Sequence, residues 1–172
     1  MGLYDNLFFK RGNFIQAETV LGMLLDGYLI DARAGGLVIG KSHEEGHIYM
    51  IQRDENDAFE FINVMEGGEY ILCHEACDAA LERLEVINQD TGPVTEFVVP
   101  DIYHRATRVI NTNATPDDKI LLIDARGQFI INAVSTRKHF NELQALNDRY
   151  AFKSHFCMKD FFVRKPPLPD CE

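Results

Sequence analysis

Residues 28–73 read YLIDARAGGLVIGKSHEEGHIYMIQRDENDAFEFINVMEGGEYILC, and this stretch decides the fold. Apolar and β-branched runs at 28–30, 36–40, 47–53, 58–65 and 69–73 have the length and composition of strands. Between them lie turn-forming segments: Ala34-Gly35-Gly36, Glu44-Glu45-Gly46, Asp54-Glu55-Asn56-Asp57 and Glu66-Gly67-Gly68. Breaks this short predict antiparallel hairpins, because a parallel crossover needs a dozen or more residues.

Helical patterns flank this β-rich block. Phe14, Ala17, Val20, Leu21, Leu24 and Leu25 recur at helical spacing. Asn13 and Gln16 stand as a capping box, and Gly27 is the stop, which predicts a helix over 14–26. A second helix is predicted at 74–87, with Cys73, Cys77, Ala80, Leu81, Leu84 and Ile87 on its inner face. A third follows Ser135 as its cap, with Phe140, Leu143, Leu146 and Tyr150 inward. Strands are expected at 95–99, 106–111, 119–124, 128–134 and 152–163. The segments 119–124 and 128–134 should form a hairpin about Ala125-Arg126-Gly127. These elements specify an α+β fold of antiparallel hairpins in one or two sheets, packed with about three helices. The expected organisation is one domain over 1–164 and an extended Pro-rich tail over 165–172.

One pentapeptide occurs twice, as Leu29-Ile30-Asp31-Ala32-Arg33 and Leu122-Ile123-Asp124-Ala125-Arg126. Two similar hairpins account for it. An internal duplication is the alternative, although the elements after the two copies differ in order.

Net charge is −10, which disfavours nucleic acid and anionic membrane as partners. Its distribution is uneven. Residues 1–100 hold 18 Asp/Glu against 6 Lys/Arg, while 101–172 hold 9 against 11. Within 44–90 there are 13 acids and two bases, Arg53 and Arg83. The first functional expectation is therefore a non-enzymatic acidic binding protein that engages a basic protein through 44–90, with Asp54, Glu55, Asp57 and Glu60 as contact residues. An inhibitor or immunity-type role has this chemistry, and a structural role within an assembly is a further option. A solvated, solubilising face is the plain structural reading of the same charges. Four cysteines in 172 residues, and no basic region with an apolar stretch at Met1–Asn6, point to reduced thiols and the cytoplasm.

Two motifs suggest other chemistry. Gly35 to Ser42 fits the phosphate-loop pattern G-x-x-x-x-G-K-[ST]. Its middle, Leu37-Val38-Ile39, favours a strand, and no helix follows, so a hairpin is expected instead. His43-Glu44-Glu45-Gly46-His47 fits H-E-x-x-H. On a helix that spacing would put two imidazoles on one Zn²⁺, with Glu44 as general base. A zinc-dependent hydrolase is the alternative function on this ground. A non-catalytic zinc site of His43, His47, Cys73 and Cys77 is a variant of it. Gly46 inside the would-be helix and strands on both sides predict an exposed turn with no cofactor. The reading of Cys73 and Cys77 that goes with this turn is two small buried hydrophobes.

Overall fold

A computed structural model describes residues 14–56, 58–93, 101–113 and 119–151. In chain order the elements are β1 (Phe14–Ile15), α1 (Ala17–Leu25), β2 (Leu29–Asp31), β3 (Gly36–Ile39), β4 (Ile48–Arg53), β5 (Phe59–Met65), β6 (Tyr70–Ile71) and α2 (His74–Gln89). They continue with α3 (Ile102–Arg105), β7 (Val109–Asn111), β8 (Ile120–Ile123), β9 (Ile130–Ile131) and α4 (Ala133–Ala151). The strands form two sheets, of order β1-β5-β4-β8-β2 and β7-β3-β6-β9. The α+β class and the two sheets agree with the sequence. The expected strands and capping residues that fall at 1–13, 94–100 and 152–172 lie outside the described residues.

The pairing is mixed rather than antiparallel throughout. β4–β5 is a true hairpin, with a register shift between Met50 and Ile51. But β8 lies between β2 and β4 and is parallel to both, and β3 is parallel to β7. The other expected hairpins are crossings between sheets. β2 and β3 lie in different sheets, as do β3 and β4, β5 and β6, and β8 and β9. Such a crossing needs the same tight turn as a hairpin, so local turn chemistry does not separate the two.

Residue alternation builds four layers, since neighbours along a strand point to opposite faces. Ile120 and Leu122 of β8 pack with Ile51, Phe59, Phe61 and the α1 residues Val20 and Met23. Leu121 and Ile123 face the other way, with Val38, Met50, Met65 and Ile71, and fill the space between the sheets. Leu37, Tyr70 and Ile131 form the far face of the four-stranded sheet, covered by Cys77, Leu84 and Ile87 of α2 and Phe140 and Leu143 of α4. The layers are thus α1, five-stranded sheet, four-stranded sheet, then α2 with α4. β8 is buried along its whole length, as expected of a central strand between parallel neighbours.

Helix ends follow local rules where a cap is present. Gly27 has φ 78°, its N–H donates to Leu24 O, and the Tyr28 N–H donates to Met23 O, so α1 ends in a Schellman motif. The buried Lys119 ammonium also donates to the Gly27 carbonyl. The cap of α4 is Asn132 rather than Ser135: Asn132 Oδ1 accepts the Ser135 N–H at 2.8 Å, and Ser135 is buried inside the helix.

Candidate functional site

The repeated pentapeptide makes the same turn twice. In the first copy the Arg33 guanidinium donates to both Asp31 carboxylate oxygens at 3.0 and 2.8 Å, and the Arg33 N–H donates to Asp31 Oδ1 at 3.0 Å. In the second, Arg126 does the same to Asp124 at 3.0, 2.7 and 2.9 Å. Both turns leave neighbouring parallel strands and carry the chain into the other sheet. Gln128 ties them together: its Nε2 donates to Ala32 O and Leu72 O, both at 3.1 Å, and its Oε1 accepts the Asp124 N–H at 2.7 Å. Burial works against the Asp124 carboxylate, but hydrogen bonds from Arg126 outweigh it and hold the group below its ordinary range.

The first turn is closed from the helix side by Asn147, which is fully buried in α4. Its Nδ2 donates to Ala34 O at 3.0 Å, and its Oδ1 accepts the Cys73 N–H at 2.7 Å where α2 begins. Gly35, at φ 73°, lies so close that a Cβ there would be 2.4 Å from Ile71 O and 2.6 Å from Asn147 Oδ1. The glycines of the phosphate-loop match therefore serve close packing, and its middle is the strand β3. β3 and β4 do not pair, so the hairpin expected there is a crossing as well.

His43, Glu44 and Glu45 form a turn on that crossing, with Glu45 and Gly46 N–H both donating to Ser42 O. The H-E-x-x-H spacing thus lacks the helix that would bring its two histidines to one face. The His47 ring lies 5.7 Å from that of Tyr49, centroid to centroid, with the two planes tilted by 46°. Cys73 and Cys77 belong to the core under α2. Cys77 Sγ accepts the Phe129 N–H at 3.0 Å, and burial pushes its thiol up to about 11. Among the described residues, no three of His, Cys, Asp and Glu group as metal donors.

The acids of 44–90 divide among three places. At the β4–β5 tip, Asp54 Oδ1 accepts the N–H groups of Asn56 at 2.9 Å and Ala58 at 2.8 Å, which makes it a turn-forming residue. Glu55 beside it is exposed, Glu60 is half-buried in β5 opposite Phe14 and Gln52, and Asp57 lies outside the described residues. At the other end of that hairpin, Glu69 Oε2 accepts the Glu66 N–H at 3.0 Å, and burial raises the Glu69 carboxyl above its usual range. The third place is α2, on the far face of the four-stranded sheet.

Comparison with family models, curated proteins and solved structures gives no match.

On α2 the more basic second half neutralises some acids and leaves others. Arg126 also reaches Glu75 at 2.9 Å, and Asp90 accepts from Lys138 at 2.9 Å and contacts His139 Nε2 at 2.8 Å. Those two side chains hold the Asp90 carboxyl below its usual range. Arg83, the only cation on α2, is bound bidentately by Glu142 of α4 at 2.7 Å. Asp78, Glu82 and Glu85 are exposed and have no ion-pair partner among the described residues. On either side of Glu82 and Glu85, Leu81 is 49% and Val86 57% exposed. Periodicity puts Leu81 on the inner face, but α2 is interrupted at Ala80 (φ −142°, ψ 31°), and beyond it the buried residues are Leu84 and Ile87. That exposed apolar pair is the feature the sequence pattern conceals.

Proposed function

We propose that the protein is a non-enzymatic, cytoplasmic binding domain that engages a basic protein partner through its acidic 44–90 region, with the outer face of α2 as the contact surface. An inhibitor or immunity-type role is compatible with that chemistry. The observation that carries the reading is the set Asp78, Glu82 and Glu85, three exposed carboxylates on a helix whose one arginine is already held by Glu142. Like charges three residues apart on a helix cost stability, by about 0.2–0.5 kcal/mol per pair, so Glu82 and Glu85 do not serve the helix itself. A field of one sign raises the encounter rate with an oppositely charged protein.

The test is affinity purification from the native source with two baits, the wild type and the combined Asp78→Lys, Glu82→Lys, Glu85→Lys variant. A basic protein retained by the first and lost from the second is the expected result. The same captured set on both baits, or a set with no basic protein, contradicts the proposal.

A further inference from the structure

We draw no further inference here: the strongest candidate, the side-chain cluster of Asp31, Arg33, Asp124 and Arg126 in the two turns that leave β2 and β8, belongs to the site already described, where each carboxylate is bound by the arginine of its own turn and nothing in the structure shows what ligand the four would hold.

Discussion

The β4–β5 tip and the outer face of α2 are both acid-rich, and in composition they look alike. They differ in what their carboxylates already do. At the tip, Asp54 folds back onto two backbone N–H groups and closes the turn. On α2, Asp78, Glu82 and Glu85 point away from the core, with no cation engaged among the described residues. An acid that satisfies its own backbone is part of the fold, whereas an acid left to solvent beside exposed leucine and valine is free to serve a partner. Charge counted along the chain cannot tell these apart, because it omits what each oxygen accepts.

The comparison can be broken by stability measurements. The largest effect is expected at Asp54. Asp54→Ala should cost about 1–2 kcal/mol in urea unfolding, since two backbone donors lose their acceptor. If Asp54→Ala and Asp78→Ala cost the same, the distinction fails. Next comes Asp124. Its carboxyl is held below the ordinary range, so its contribution is present above the unfolded-state value near pH 4 and is lost as pH falls through the folded value. Asp124→Asn should therefore lower stability at pH 7 by about 0.5–1 kcal/mol, given that Arg126 is largely exposed, and should flatten the acid limb of the stability curve. Asp78→Asn should leave that limb unchanged.

Glu69 tests the opposite sign. Its carboxyl is raised by burial, so the stability that protonation confers is full below the unfolded-state value and is lost as pH rises through the folded one. Glu69→Gln keeps an acceptor for the Glu66 N–H and removes the desolvated charge. It should be more stable than wild type at pH 7, and the gain should vanish toward pH 4; equal stability at pH 7 would contradict the burial argument. The smallest effects belong to the α2 face: Asp78→Lys, Glu82→Lys and Glu85→Lys should each stay within about 0.5 kcal/mol in the same unfolding assay.

What the sequence made legible was local. The α1 stop at Gly27, the bodies of α2 and α4, the β4–β5 hairpin and the non-helical context of His43 and His47 all follow from residues a few positions apart. Pairings across the chain did not show. β8 joins β2 and β4 from some 70 to 90 residues away, and no turn residue encodes a parallel neighbour. The two Leu-Ile-Asp-Ala-Arg segments show the limit well. Their identical turns were foreseeable from identical side chains, but their crossing from one sheet to the other depends on Gln128, Asn147 and the close approach at Gly35. At the candidate site, the acidity of 44–90 was plain. Its division into three places was not, and neither was the turning outward of Leu81 after the break at Ala80.

The central claim concerns which acidic surface a partner meets, and the association rate tests it most directly. With the captured basic protein, stopped-flow rates would be measured at low and moderate salt for three forms: the wild type, the α2 reversal (Asp78→Lys, Glu82→Lys, Glu85→Lys) and a tip reversal (Glu55→Lys, Asp57→Lys) that spares Asp54. Steering by α2 predicts that its reversal slows association by ten-fold or more at low salt and flattens the salt dependence, because that field is screened over about 8–10 Å. The tip reversal should change the rate less than three-fold. A tip reversal that slows association as much as the α2 reversal, or an α2 reversal with unchanged rate and salt dependence, would contradict the account.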